Sequence, residues 1–286
     1  MKTLAIPSPA KINLFLKVVG RRPDGYHEII TLLTRIGLFD TVVLAFDQPS
    51  ISVTCSHPRV PEDSSNLAYR AASLFLDALS IHDGVGISID KVIPVAAGLG
   101  GGSSNAAAVL MGLNQHYGFR FSDGELMEIA LKVGADVPFF LFRHVAVARG
   151  IGDDLEVYED LPPLSVVLVC PGFEVHTAWV YKNLNLRLTN CDKNFKIRDL
   201  KQNFSSIKHF LFNDLERVTI GKFPEIKTIK KALVDLGAEA ALMSGSGPSV
   251  FGLFKDAQQA TKAIYAIRHV RRREGWETFL VELLLA

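Results

Sequence analysis

Four of the five residues from Gly98 to Gly102 are glycine, in the run Pro94-Val-Ala-Ala-Gly-Leu-Gly-Gly-Gly-Ser-Ser104. The run follows an alternating apolar stretch, Val85, Ile87 and Ile89, and opens an Ala-rich helical segment from Asn105. Strand, glycine turn and helix in that order bring bare backbone against a ligand. The glycines remove the Cβ atoms that would hold it away, and the first N–H groups of the helix have no intrahelical acceptor. An anion there is stabilised by donors and helix dipole together, so the run reads as a phosphate-binding loop with a nucleoside triphosphate as its expected owner. It is not a Walker A loop, because no Lys follows the glycines. It also departs from the dinucleotide fingerprint, since Gly98-x-Gly100-x-x-Ser103 lacks the third glycine.

The loop needs a scaffold, and 286 residues exceed the usual single-domain size, so two domains sharing a cleft are expected. A composition shift at Glu159-Asp-Leu-Pro-Pro163 marks the boundary, giving domains over 1–160 and 161–286. Lys plus Arg (31) nearly balance Asp plus Glu (30), and a net charge of +1 offers no general pull toward nucleic acid or anionic membrane. A charged small-molecule substrate must therefore be held locally. Cys55, Cys170 and Cys191 fit no paired metal spacing and are expected as reduced thiols. No apolar run is long enough to span a bilayer, and patterned sequence begins by Pro9, so a soluble, cytoplasmic or already processed protein is expected. Monomer and homodimer both remain open.

Local signals place the remaining elements. Ile12, Leu14, Leu16 and Val18 alternate with Lys11, Asn13, Phe15 and Lys17, which predicts a half-buried strand with Lys11 and Asn13 on one face. Arg21 to His27 reads as a turn built on Pro23 and Gly25. Strands are expected at 41–46, 51–56, 164–170 and 249–254, and helices at 66–79, from Ser122 to Gly134, at 224–237 and near 256–273. The segment Ala135-Asp136-Val-Pro-Phe-Phe-Leu141 sets a carboxylate at the edge of an apolar run. Helices and strands alternate with hairpin-like pairs in both halves, which favours an α+β pair of sandwiches.

Three segments, Pro9 to Leu16, Pro94 to Ala107 and Leu242 to Gly252, resemble the three ordered motifs of the GHMP superfamily of small-molecule kinases, which includes galactokinase, homoserine kinase and mevalonate kinase. Order and spacing match over nearly the whole chain. Pro9-Ala-Lys-Ile-Asn-Leu-Phe-Leu16, Gly20-Arg-Arg-Pro-Asp-Gly-Tyr-His-Glu28 and Gly134-Ala-Asp-Val-Pro-Phe-Phe140 narrow the resemblance to one branch of these kinases. The resemblance implies a two-domain α+β architecture with the active site in the cleft between two α/β sandwiches. It implies ATP-dependent phosphorylation of the 2-hydroxyl of a cytidine-diphosphate-linked methylerythritol, in the non-mevalonate route to isoprenoid precursors. One departure is Val95-Ala96-Ala97, where relatives often carry more glycine, so the first turn of the loop is stiffer here.

Phosphoryl transfer needs in-line positioning, charge neutralisation and a destination for the alcohol proton. The resemblance assigns Asp136 as general base and Lys11 as the cation that keeps its carboxylate ionised and steadies the developing alkoxide. The alternative for the same pair is a structural ion pair. ATP would rest on Pro94, Gly98, Leu99, Gly100, Gly101, Gly102, Ser103 and Ser104, with Ser103 or Ser104 offering a hydroxyl to an inferred Mg²⁺ that has no dedicated protein ligand. Asn66 and Leu67 match positions beside adenine, although Asn66 serves equally as a helix cap. Gly245, Ser246 and Gly247 would form a second glycine-rich wall closing over the phosphates or the substrate's diphosphate, or else a plain turn between strands. Asn13 would bond the acceptor's polar groups alongside Asp136. Tyr26 would stack on the pyrimidine with His27 on its edge, and Tyr181 would cover the other face or simply pack its helix.

Two rivals stand beside this reading: a kinase of the same superfamily with another alcohol, such as homoserine or mevalonate, and a nucleotide-binding regulator without turnover. The basic run Arg268-His-Val-Arg-Arg-Arg273 reads as a solvated face near a helix C-terminus, not a nucleic-acid or lipid site.

Overall fold

The computed structural model describes residues 2–185, 210–270 and 275–285. In chain order these carry β1 (Thr3–Arg21), β2 (His27–Gln48), β3 (Ser52–Cys55), α1 (Leu67–Ala78), β4 (Gly84–Asp90), α2 (Gly101–His116), α3 (Asp123–Val133) and α4 (Val137–Phe142). There follow β5 (Ala146–Arg149), β6 (Asp154–Val157), β7 (Ser165–Cys170), α5 (Thr177–Asn183), β8 (Phe212–Asn213), α6 (Asp214–Lys222) and α7 (Glu225–Asp235). The order closes with β9 (Ala240–Met243), β10 (Val250–Phe254), α8 (Ala257–Val270) and β11 (Glu277–Leu284). Among the described residues no helix is long and apolar enough to cross a membrane.

The chain divides into two compact units, and neither is continuous in sequence. One comprises Met1–Ala10, Leu38–Val95 and Gly100–Arg143; the other comprises Lys11–Gly37, Ala96–Leu99 and His144–Ala286. The cause is the length of β1 and β2, each of which gives one stretch to each unit.

In the first unit the later half of β2 pairs antiparallel with β4, Val42 opposite Ile89 and Leu44 opposite Ile87, and β3 joins β4 in parallel. The residues alternating with these apolar positions on β4, Ser88 and Asp90, are exposed, the period-two pattern expected of this stretch. Helix α1 buries Ala68, Ala71, Ala72, Phe75 and Leu76, a spacing that lays one stripe of the helix against its neighbours. Asn66 caps it by accepting from the Ala68 N–H at 2.8 Å. Helix α2 is buried nearly all round, and its small residues Ala106, Ala107 and Ala108 admit close neighbours on every side. The expected capping box is present at α3, with Ser122 and Glu125 each bonded to the other's backbone. The apolar run after Asp136 forms the short helix α4, with Pro138 in its first turn.

The second unit is a layer of strands in the order β9–β10–β7–β11–β2, antiparallel along that path, with β5 on β2 and β6 on β5, while β8 pairs in parallel with β1, Phe212 opposite Phe15. Helices α7 and α8 cover the sheet and bury Ile226, Ile229, Leu233, Ala260, Ile264 and Ile267 against Val167, Val169, Val250 and Phe254. The mixed helix-and-sheet class expected of the sequence is what forms. Two expectations change. The strand expected at 41–46 is only the end of a much longer β2, and β1 from Ala10 to Leu16 is buried on both faces, so Lys11 and Asn13 lie in the interior. Helix α8 is described from Ala257 to Val270, and Arg268 ties it to β11 by donating to Thr278 Oγ1 and O at 3.0 and 2.9 Å. Arg271, Arg272, Arg273 and Cys191 lie outside the described residues.

Candidate active site

A lysine only 5% exposed must be held by polar partners, and Lys11 has them in the second unit. Its Nζ donates to Asn13 Oδ1 at 2.7 Å, while Asn13 Nδ2 donates to Thr31 Oγ1 at 2.9 Å and Thr31 Oγ1 donates on to the Phe15 carbonyl at 2.6 Å. The chain of donors fixes which end of the Asn13 amide faces the ammonium. A Cβ on Gly245 would stand 3.2 Å from Asn13 Oδ1 and 3.6 Å from Lys11 Nζ, so the bare backbone of the second glycine loop lies directly beside this pair.

The first half of the glycine run 94–104 is stitched to that same second loop and to Lys11. The Lys11 N–H donates to the Leu99 carbonyl at 2.9 Å, Ser244 Oγ donates to the Gly98 carbonyl at 2.9 Å, and the Ser249 N–H donates to the Ala97 carbonyl at 3.3 Å. Gly98 is required twice over: its φ is +76°, and a Cβ would meet the Ser244 carbonyl oxygen at 2.3 Å. Ala96, at the stiffer turn, takes a left-handed φ of +54°.

Helix α6 grips the second loop through residues the sequence patterns did not single out. Asn213 Nδ2 donates to the Met243 and Gly245 carbonyls, each at 2.8 Å, and Glu216, paired with Lys230, accepts from the Met243 N–H at 2.9 Å. Thr219 Oγ1 donates to the Ser246 carbonyl at 3.2 Å, and the Ser246 hydroxyl shares a 2.8 Å hydrogen bond with Thr177 at the start of α5. Gly247 precedes a cis Pro248.

The turn from Arg22 to Tyr26 forms as its residues dictate, with the Arg22 N–H donating to the Tyr26 carbonyl at 2.7 Å and the Tyr26 N–H to Asp24 Oδ1 at 3.1 Å. Tyr26 is left 57% exposed. His27 is half-buried and stacks on Tyr181 of α5, with ring centroids 4.8 Å apart. The imidazole, not the Tyr26 ring, is therefore what Tyr181 faces. Burial, and secondarily the Arg21 charge, pushes the His27 pKa below its ordinary value, so the ring favours the neutral form.

In the first unit, α2 begins after Gly100 at φ +70°, and its first intrahelical bond runs from the Ser104 N–H to the Gly100 carbonyl at 2.9 Å. The N–H groups of Gly101, Gly102 and Ser103 precede that bond, and no acidic side chain occupies the first turn to compete for them. Ser104 is buried and accepts from Ser8 Oγ at 2.8 Å, so Ser103 is the hydroxyl with solvent access. Leu67 reaches within 3.6 Å of a Cβ position on Gly102, which sets the Asn66–Leu67 corner beside the helix start. Pro94 is half-buried in the approach to the loop. Asp136 is the half-buried N-cap residue of α4 and its side chain makes no capping bond to that helix.

Residues 66–144 match the model of the GHMP kinases N-terminal domain, and residues 193–271 match that of the GHMP kinases C-terminal domain. The chain is also 49% identical over 276 residues to a protein of Syntrophotalea carbinolica named 4-diphosphocytidyl-2-C-methyl-D-erythritol kinase, covering 96% of this chain and 97% of that one. The chain belongs to the GHMP kinases. Among solved structures, this GHMP kinase superimposes with a TM-score of 0.82 on a 4-(cytidine 5'-diphospho)-2C-methyl-D-erythritol kinase, at 37% identity, covering 98% and 99% of the two chains. A homoserine kinase from Cytophaga hutchinsonii follows the same fold, with a TM-score of 0.78 at 21% identity over 100% of this GHMP kinase and 96% of that chain. At that identity the likeness shows the fold alone.

Proposed function

We propose that the protein transfers the γ-phosphoryl group of ATP to the 2-hydroxyl of 4-diphosphocytidyl-2-C-methyl-D-erythritol, giving the 2-phosphate and ADP in the non-mevalonate route to isoprenoid precursors. The near-full-length relatives carry the acceptor assignment. The geometry that supports the transfer itself is the buried Lys11–Asn13 pair standing against the bare backbone of Gly245.

In this reading the amides of Gly98 to Ser103 hold the phosphates, and Asn66 and Leu67 border the adenine. Asp136 takes the proton as the 2-hydroxyl O–H bond breaks. The oxygen's electron pair then forms the new P–O bond, while the bond from the γ-phosphorus to the bridging oxygen breaks and ADP leaves. Lys11 offsets the negative charge that builds on the acceptor oxygen, and Asn13 fixes the direction of its ammonium. Gly245, Ser246 and Gly247 line the acceptor, with Tyr26, His27 and Tyr181 gripping the cytosine ring by stacking and by hydrogen bonds to its edge.

Among the described residues no group of three or more His, Cys, Asp or Glu side chains could hold a metal ion. The Ser103 hydroxyl suits a Mg²⁺ that would arrive on the nucleotide's phosphates, while the backbone N–H groups suit the phosphates themselves; the ion would neutralise phosphate charge there. The reading includes domains over 1–160 and 161–286, on which the two family matches fall separately, and action in the cytoplasm as a monomer or homodimer without nucleic acid or membrane.

The test is ADP release coupled to acceptor consumption. Turnover with the cytidine-linked acceptor, none with homoserine or mevalonate, and thermal protection by a cytidine nucleotide are expected. Turnover with either of the other alcohols alone would overturn the acceptor, and ATP binding without turnover on any of them would make the protein a regulator.

A further inference from the structure

Asp40 opens the strand stretch that pairs with β4, and its side chain is completely buried although nothing in the proposed transfer uses it. Both carboxylate oxygens are saturated. Oδ1 accepts from the Val92 and Ile93 N–H groups, each at 2.8 Å, and Oδ2 accepts from Lys91 Nζ at 2.7 Å and Asn105 Nδ2 at 2.9 Å. Lys91, with a side chain 4% exposed, also donates to the Ile93 carbonyl at 2.6 Å. From Asn105 the network continues to Ser8 Oγ at 2.9 Å and from there to Ser104 Oγ at 2.8 Å.

Apart from Ser8 on β1, the partners fall at two places in the sequence. Val92 and Ile93 lead into the glycine loop, and Ser104 and Asn105 belong to the first turns of the helix that leaves it. One carboxylate therefore ties the entry of the loop to its exit. The ammonium of Lys91 completes the arrangement from behind the helix start: a Cβ on Gly101 would lie 2.9 Å from its Nζ and 3.1 Å from Ile93 Cγ2. That Nζ is pinned by Asp40 and the Ile93 carbonyl, so it has no slack to move aside. The Lys91 ammonium consequently lies against Gly101, the first residue of α2.

We propose that Asp40, Lys91 and Asn105 are positioning residues for the nucleotide: they hold the entry and exit of the phosphate loop at the spacing that aims the first amides of α2 at ATP. The inference rests on the reading of this loop as the ATP site. A buried carboxylate with four donors keeps its geometry far more strictly than solvent-exposed bonds would, and amide donors a fraction of an ångström out of line lose most of their value to a phosphate.

The test is steady-state kinetics on the full chain with each substrate varied separately, for Lys91→Met, Asn105→Ala and Gly101→Ala. Loss of a buried bond that aligns the amides should raise the KM for ATP about tenfold or more, with the acceptor KM unchanged. Asn105→Ala leaves the ion pair in place, so it carries the test if Lys91→Met does not fold. The Gly101→Ala defect should shrink in the Lys91→Met background, because the far end of the obstructing side chain is gone. Folded variants with the wild-type KM for ATP, or with both KM values raised alike, overturn the proposal and leave the network a structural one. If the wild-type protein itself shows no ATP-dependent turnover, the ATP reading fails and this inference falls with it; wild-type turnover with unaltered variants sinks this inference alone.

Discussion

Tyr181 lies face to face with His27, the planes of the two rings only 27° from parallel. A ring held this way is a ready platform for a pyrimidine, and base–aromatic stacking is worth about 1–3 kcal/mol by truncation. Tyr181→Ala should therefore raise the acceptor KM about tenfold or more while the KM for ATP stays level. Initial rates at saturating ATP decide it, and an acceptor KM at the wild-type value would remove this ring from the site.

The same stack has a pH signature. Burial lowers the His27 pKa below 6.5, so the native state binds its proton less readily than the unfolded chain does. In the window between the native value and 6.5 the unfolded state carries more protons, and stability must rise with pH there. His27 therefore contributes a loss of stability as pH falls through 6.5, a loss complete once the native ring also protonates. An NMR titration of the imidazole should give a midpoint below 6.5 that moves upward in Arg21→Gln. A midpoint above 6.5 would contradict the burial seen here.

Asp136→Asn removes the proposed proton acceptor and keeps the shape. A general base typically contributes a factor of about 10² to 10⁴, so kcat should fall within that range with ATP affinity preserved. Rates from single turnovers, with ATP binding measured calorimetrically, separate the two quantities. Full activity in the variant would return the residue to a structural role.

Gly98→Ala puts a methyl group 2.3 Å from the Ser244 carbonyl oxygen at a positive φ. Strain and overpacking together should cost about 2 kcal/mol or more, read as a lowered midpoint in urea. Wild-type stability would mean that the two glycine loops are not in contact at this point.

Ser122→Ala tests the fold apart from the site. It deletes one half of the capping box at α3, where the Glu125 N–H now donates to Ser122 Oγ, and should cost about 1 kcal/mol with kinetics unchanged. A midpoint within error of wild type would show that the helix end is held by packing alone.

Features built from neighbouring residues were legible in advance. The Ser122–Glu125 box, the Asn66 cap, the turn around Pro23 and Gly25, and the strand–glycine–helix sequence at 84–116 all rest on bonds spanning a few positions, and each forms. The extent of β2 was hidden because Thr34, Arg35 and Gly37 interrupt its apolar pattern, and only pairing with β11 and β5 shows that the strand continues. Burial of both faces of β1 could not be read from its alternation, since what covers the Lys11 face arrives from residues near 31, 99 and 244. Asp40 and Lys91 are 51 positions apart, and neither stands in a motif; the one hint was an acid at the head of an alternating strand. The α6 side chains that hold the second loop gave no signal beyond an Asn before a helix.

The middle of β2 is paired by residues far along the chain. Arg35 and Ile36 pair with Leu284 and Leu283, and the Thr34 hydroxyl donates to the Leu284 carbonyl across 250 positions. On a ribosome, the sheet that carries Lys11 and His27 must wait with this edge open until Leu283 and Leu284 have been made. The nascent chain thus exposes an apolar strand until that pairing forms, and it is in that interval, more than in the folded protein, that a chaperone has something to bind.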